Sequence, residues 1–347
     1  MKLLMMTRRV DLDDPRAGFS YRWITEFARH CETVVVLCLV AGTTTGLPAN
    51  CRVIAVRPDG VKRRARDFFR LQRLAMQEIR SCDAVFTHQN PEYGIALAPW
   101  CILYRKKIMA WYVHGAVTWK LNLLAKLVST IITASKDSCR IDSTKVVVLQ
   151  HGIDTELFSL KSEQPHQHRL VTIGRVSPTK RIRHMIEMVT LLRDSGMNDI
   201  SLMIVGGAAT AADKHYQAEL EALVSRHNLA SQVTFAGAIS HPQTVPFYQM
   251  ADLMLNFSST GSIDKAVLEA MSCGTPVLTT NEAFRDMAHT FPIPQFDSNN
   301  SPRELAGHAA RILEKTDRAF ELSLREYVVT HHSLPILIQK ILALYGA

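Results

Sequence analysis

A chain of 347 residues, 47% hydrophobic and only 21% charged, is no disordered segment and is too long for one ordinary core, so two domains of comparable size are expected. The seven cysteines (Cys31, Cys38, Cys51, Cys82, Cys101, Cys139, Cys273) are scattered without CxxC pairs, which favours reduced, buried thiols over disulfides or zinc. The N-terminal MKLLMMTRRV is a short apolar run closed by arginines, and no window approaches the 18 or so apolar residues of a spanning helix; the expected location is the cytoplasm, with peripheral attachment to the inner membrane face left open.

From the start, short apolar strands alternate with longer helical patterns. KLLMMT (2–7), TVVVLCLV (33–40), CRVIAV (51–56), AVFTH (84–88), KIMAWYV (107–113), TIITAS (130–135) and KVVVLQ (145–150) read as strands. FSYRWITEFARH (19–30) and WKLNLLAKLV (119–128) read as helices among them. Strands apolar on both faces and separated by helices indicate a parallel sheet covered on both sides.

The helical run VKRRARDFFRLQRLAMQEIR (61–80) concentrates much of the net charge of +8. Its apolar positions predict a stripe packed on the core. Its cations, Arg63, Arg64, Arg66 and Arg70 among them, fit either a solvated face or a contact with anionic lipid headgroups or the acceptor. No helix-turn-helix, RNP-like or zinc-finger pattern accompanies them, so nucleic acid is not expected.

After the polar stretch HGIDTELFSLKSEQPHQHR (151–169) the alternation resumes. RLVTIG (169–174), SLMIVG (201–206), QVTFAG (232–237), LMLNFS (253–258) and PVLTT (276–280) read as strands, with helices around 181–193, 213–227, 243–250 and 265–272. SPRE supplies Ser301 as N-cap, Pro302 at the first helical position and Glu304 as the reciprocal cap of a helix through Glu314. LPILIQKILALY (334–345) reads as a C-terminal helix.

The expected organisation is therefore α/β: a Rossmann-like doubly wound domain over 1–150, an interdomain segment 151–168, a second such domain over 169–330, and a C-terminal helix over 331–347 with the option of packing back on the first. Two such domains facing across a cleft would hold a ligand at the carboxyl ends of their strands.

Chemistry-bearing residues gather at those ends in the second half. Gly174-Arg175 follows one strand and Lys180 precedes the next helix, two cations suited to a diphosphate. Gly206-Gly207 ends the next strand, where backbone can approach a ligand. Gly237 and Ile239 follow another, and SSTGSIDKAVLEAMSCGTPVL (258–278) opens a small-residue loop onto a helix carrying Glu269.

These motifs, IGRVSPTK (173–180), IVGGA (204–208), VTFAGAI (233–239) and FSSTGSIDKAVLEAMSCGTPV (257–277), resemble in order and spacing the donor domain of retaining glycosyltransferases of family GT4, which have the GT-B fold. The first half matches more loosely through Gly18-Phe19, HGAV (114–117), TASK (133–136) and HGIDTELF (151–158). The resemblance implies that Arg175 and Lys180 hold the diphosphate of a UDP- or GDP-linked sugar and that Glu269 accepts hydrogen bonds from the ribose hydroxyls. It implies that Gly206 adjoins the donor, that Gly237 and Ile239 border the base, and that the backbone of Gly261, Ser262 and Ile263 meets phosphate or sugar at a helix start. Gly18 would lie on the donor as well, and His114 near the transferred sugar. It further implies metal-independent transfer to a hydroxyl acceptor, lipid-linked or part of a cell-envelope glycan among the candidates, with no cofactor and with the leaving phosphate oxygen assisting loss of the acceptor proton.

One position departs from the family pattern: the usual sugar-binding glutamate falls on Gly261. Asp264, three residues on, either replaces it from a shifted position or caps the following helix. The alternative function is a non-catalytic sugar-nucleotide binder; a nicotinamide-dependent oxidoreductase lacks its glycine fingerprint, since TRRVDLDDPRAG (7–18) follows the first strand.

Overall fold

A computed structural model describes residues 1–14, 18–163, 167–258, 263–284 and 300–346. The chain divides into two units, Met1–Gly152 with Leu334–Ala347, and Ile153–Ser333. These borders fall a few residues beyond the 150 and 330 expected from sequence. Ile153 pairs with Ser333 in a parallel bridge, its amide donating to the His332 carbonyl at 2.6 Å, so the first residues of the second unit are tied to its last.

In the first unit β1 (Lys2–Val10), β2 (Thr33–Ala41), β3 (Cys51–Ala55), β4 (Ala84–His88), β5 (Lys107–Trp111), β6 (Thr130–Thr133) and β7 (Val146–Val148) form a sheet in the order β3-β2-β1-β4-β5-β6-β7. Every pairing in it is parallel. Successive side chains of a strand point to opposite faces, and both faces here are covered. Leu3 and Met5 join one core layer with Trp23, Phe27, Leu337 and Ile341, while Leu4 and Met6 join another with Leu71, Ala75, Leu97 and Leu124. That two-sided burial is why the strands read as unbroken apolar runs rather than alternating ones.

Helices α1 (Gly18–His30) and α11 (Leu334–Gly346) cover the first layer. The second is covered by α2 (Arg64–Ser81), α3 (Pro91–Leu103) and α4 (Trp119–Leu127). On α2 the residues spaced by four, Asp67, Leu71, Ala75 and Ile79, are buried, the stripe expected from the sequence.

The second unit carries β8 (Arg169–Ile173), β9 (Ser201–Val205), β10 (Val233–Gly237), β11 (Leu253–Asn256) and β12 (Val277–Thr279) in the order β10-β9-β8-β11-β12, again all parallel. One face packs on α5 (Ile182–Asp194), α6 (Ala211–Arg226) and α9 (Pro302–Lys315). The other packs on α7 (Val245–Met250), α8 (Lys265–Ser272) and α10 (Arg318–His332). Strand order reverses direction between β8 and β11, the switch point at which open α/β sheets leave a crevice beyond their carboxyl ends.

The helix expected over 243–250 instead opens as a 3-10 turn, His241–Thr244, and becomes α-helical from Val245. The Ser301 capping box is present, Ser301 Oγ accepting from the Glu304 amide and the Glu304 carboxylate accepting from the Ser301 amide at 2.7 Å. All seven cysteines are free and six are buried, and burial pushes the Cys38, Cys101 and Cys273 thiols up to about 12, which leaves them inert as nucleophiles. No described helix is long and apolar enough to cross a membrane.

Candidate functional site

Three strand ends of the second unit are laced together by backbone alone. The Gly174 amide donates to the Val205 carbonyl at 2.9 Å, Gly206 to Gly237 at 2.8 Å and Val176 to Gly207 at 3.2 Å. Gly206 has φ 140°, and a Cβ there would stand 1.8 Å from the Gly174 carbonyl oxygen, so no other residue fits without moving a strand end. Gly237, at φ 73°, leaves open space beside it. The edge formed by β8, β9 and β10 therefore presents peptide groups rather than side chains.

Cations flank this edge. Lys180 closes the 3-10 turn Pro178–Lys180, and its stem lies across Gly174, where a Cβ would be 3.4 Å from Lys180 Cε. Its ammonium pairs with Asp264 Oδ2. Asp264 is also the N-cap of α8, its Oδ1 accepting from the Ala266 amide at 3.4 Å, and Oδ2 accepts from Asn256 Nδ2 at 2.9 Å. Asn256 is held in turn by Thr279 Oγ1, which donates to its Oδ1 at 3.2 Å. Of the two roles the sequence left open for Asp264, the cap of α8 is present, and the same carboxylate also pairs with Lys180. Arg175, 53% exposed, has Nε 3.9 Å from Asp213 Oδ2.

Glu269, one turn into α8, is 6% exposed, yet both of its oxygens are engaged. Oε1 faces His241 Nε2 at 2.9 Å and Oε2 accepts from Tyr248 Oη at 2.9 Å. Tyr248 is fully buried, and burial with the adjacent Glu269 charge holds its phenol protonated far above the ordinary range. Half-buried Lys265, at the first turn of α8, is pushed down to about 8 by desolvation, against the pull of Glu269.

The residues singled out from sequence are thus brought partly together. Gly174, Arg175, Lys180, Gly206, Gly237 and Asp264 lie at the carboxyl ends of the strands, and Glu269 on α8 meets His241 of the turn that follows β10. Ile239 and Ile263 are half-buried against the core beneath those strand ends. Gly261 and Ser262 lie outside the described residues. Gly18 is buried at the start of α1 with its amide on the Asp14 carbonyl at 3.0 Å, and His114 is exposed beyond β5, edge-on to Tyr112 at 5.5 Å; both belong to the first unit.

On α2, Arg63 pairs with Asp59 and Arg66 lies 3.9 Å from the same carboxylate. Arg64 is exposed, whereas Arg70 is half-buried with Nε out of solvent. Phe68 and Phe69 are 55% and 71% exposed beside these arginines, because only positions in line with Leu71, Ala75 and Ile79 face the core.

Sequence reasoning passed over His241, Tyr248, Asn256 and Lys265. Asn256 had a signal, a polar residue closing the apolar strand LMLN. His241 had one too, in the Ser240/Gln243 capping box that fixes its turn. Among the described residues no group of His, Cys, Asp and Glu could hold a metal ion.

Residues 155–319 match the family model of the glycosyl transferases group 1. Over 150 residues, 40% of this chain and 36% of the relative, the sequence is 26% identical to a D-inositol 3-phosphate glycosyltransferase of Paenarthrobacter aurescens. It is also 26% identical over 180 residues, 47% of this chain and 48% of the relative, to the lipopolysaccharide core biosynthesis mannosyltransferase LpsB of Rhizobium meliloti. The chain thus spans between a third and a half of the length of these two curated relatives. Among solved structures, Anabaena Alr3699/HepE in complex with UDP superposes with a TM-score of 0.76 over 100% of both chains at 16% identity. The lipopolysaccharide outer core galactosyltransferase WaaB superposes at 0.69 over 100% of this chain and 99% of that one, at 14% identity. The fold is that of the GT-B glycosyltransferases.

Proposed function

From the match of residues 155–319 to the family model of the glycosyl transferases group 1, we propose that the protein transfers a sugar from a nucleoside-diphosphate sugar to a hydroxyl acceptor with retention of configuration. The observation that carries this reading is the side-chain-free edge at Gly174, Gly206 and Gly237 with Lys180 and Arg175 beside it. A diphosphate laid on it would meet peptide groups and two cations, which stabilise the charge that grows on the leaving phosphate. HepE, of the same fold, is known in complex with UDP, a nucleotide of the type such an edge suits. Glu269 would take the ribose hydroxyls, Asp264 a sugar hydroxyl from beside Lys180, and His114 the acceptor side.

With two cations placed to neutralise the diphosphate, the reaction needs no divalent metal. Turnover is expected to persist in EDTA; complete loss, restored by Mg²⁺ or Mn²⁺, would refute this assignment. The direct test of the function is nucleotide release from a panel of UDP- and GDP-sugars, with and without lipid extract. Tight sugar-nucleotide binding without any release would instead favour a non-catalytic binder.

The acceptor we favour is lipid-linked. Residues 57–80 carry eight cations against three carboxylates, with Phe68 and Phe69 exposed among them, a surface suited to anionic headgroups. The protein is expected to sediment with anionic but not neutral vesicles at low salt and to be released at high salt, since screening shortens to about 8 Å at physiological ionic strength. Changing Arg63, Arg64, Arg66 and Arg70 together to glutamine should abolish that binding and leave sugar-nucleotide hydrolysis in solution intact. Failure to sediment with anionic vesicles at low salt leaves a solvated helix and points to a soluble acceptor.

A further inference from the structure

We infer that His241 is a positioning residue for the donor, holding the Glu269 carboxylate in the orientation that receives the ribose hydroxyls; this rests on the proposed reading of Glu269 as the ribose acceptor. A carboxylate only accepts hydrogen bonds, so the contact of 2.9 Å between His241 Nε2 and Glu269 Oε1 requires the proton on Nε2. The other carboxylate oxygen is fixed by the fully buried Tyr248 at 2.9 Å. Two donors from different elements thus set the plane of the carboxylate, each occupying one lone pair and leaving one per oxygen for a ligand.

The surroundings are arranged to keep His241 in place. Phe158 meets the imidazole edge-on at 5.2 Å and the Tyr248 ring edge-on at 5.8 Å, so one aromatic side chain buttresses both donors. Thr244 Oγ1 donates to the His241 carbonyl at 2.7 Å, and Ser240 caps the turn through Gln243. Nδ1 is buried and has no hydrogen-bond partner among the described residues. The ring therefore makes its one polar contact through Nε2, and that contact is Glu269. A histidine serving only to fill space would not aim its single hydrogen bond at the carboxylate of α8.

His241→Phe keeps a ring against Phe158 and removes the donor, and His241→Gln restores an N–H at similar reach. The probes are UDP and GDP, titrated calorimetrically together with their 2′,3′-dideoxy forms, and steady-state kinetics with the matching sugar nucleotide. Expected for His241→Phe is about tenfold weaker binding of the ribonucleotide and a similar rise in donor KM, with kcat within about twofold. Affinity for the dideoxy form should not change, and His241→Gln should recover most of the loss. In a Glu269→Ala background His241→Phe should add nothing, the signature of a residue acting through its partner. Unchanged ribonucleotide affinity in His241→Phe, or equal weakening of both nucleotide forms, would overturn the inference. If Glu269→Ala itself leaves ribonucleotide affinity at the wild-type level, the ribose reading of Glu269 is what fails.

Discussion

Lys180→Ala is expected to lower turnover about 10²–10³-fold at saturating donor, the scale on which loss of one group stabilising developing charge is felt. The lysine stem lies over Gly174 and its ammonium is braced by Asp264, so the charge is aimed at the backbone edge before any donor arrives. Truncation does more than delete a cation. It leaves the Asp264 carboxylate, still held by Asn256 at 2.9 Å, beside the place where phosphate would lie, so nucleotide binding should weaken as well. The double variant Lys180→Ala/Asp264→Asn separates these effects, because asparagine keeps the α8 cap and removes the charge. Nucleotide affinity should partly return while turnover stays low. Rapid-quench turnover and calorimetric titration on both variants decide it, and wild-type turnover in Lys180→Ala would remove the cation from the chemistry.

Lys161→Met should cost about 3–5 kcal/mol of unfolding free energy, the usual consequence of breaking a buried ion pair from one side. Lys161 is 3% and Glu321 5% exposed. The ammonium lies 2.8 Å from Glu321 Oε1 and donates to the Ala251 carbonyl at 3.1 Å. Arg318 takes the other Glu321 oxygen at 2.8 Å and donates to the Lys161 carbonyl at 3.1 Å. Without the lysine, Glu321 keeps, among the described residues, the partly exposed Arg318 alone, and the Ala251 carbonyl loses its donor. Lys161→Met/Glu321→Leu, which removes both buried charges, should recover most of the loss. Urea unfolding followed by circular dichroism measures both, and a single variant within about 1 kcal/mol of wild type, on the scale of an exposed pair, would show the pair to be unimportant.

The central strands were legible because they are buried on both faces, so core placement wrote itself as runs such as VVVLCLV in β2 and LMLN in β11. Two helices were not. Pro91–Leu103 is apolar around its whole circumference and contains Gly94 and Pro99, which read as breakers. Gly94 is there because a Cβ would meet Leu124 Cδ1 at 2.2 Å, so α3 and α4 approach closely at that point. In Arg318–His332 the ion-paired Glu321 and Arg325, which donates to the Phe158, Ser272 and Thr155 carbonyls, are turned toward the protein, blurring the apolar period.

The cations and glycines of the site were legible through their fixed places at strand ends. The pairing of Lys180 with Asp264, and of His241 with Glu269, joins residues 84 and 28 positions apart, a proximity that only the packed sheet creates. Asn256, which steadies Asp264 from eight residues earlier at the end of β11, is marked in LMLNFS only as a polar residue closing an apolar strand, and nothing local there announces its partner.

The helix Leu334–Gly346 completes the core of the first unit, with Leu337, Ile338 and Ile341 buried against β-strand side chains and Tyr345 Oη donating to the Val85 carbonyl at 2.6 Å. As the chain leaves the ribosome, the usual order in which domains mature is therefore inverted. The second unit, contiguous over Ile153–Ser333, has all its residues in hand first, while the earlier-made unit must wait with one apolar layer uncovered for contacts more than 250 positions apart in the chain. That interval exposes a parallel sheet, slow to form and prone to association, so yield of folded protein should depend on the last thirteen-residue helix more than on any other surface element of its length.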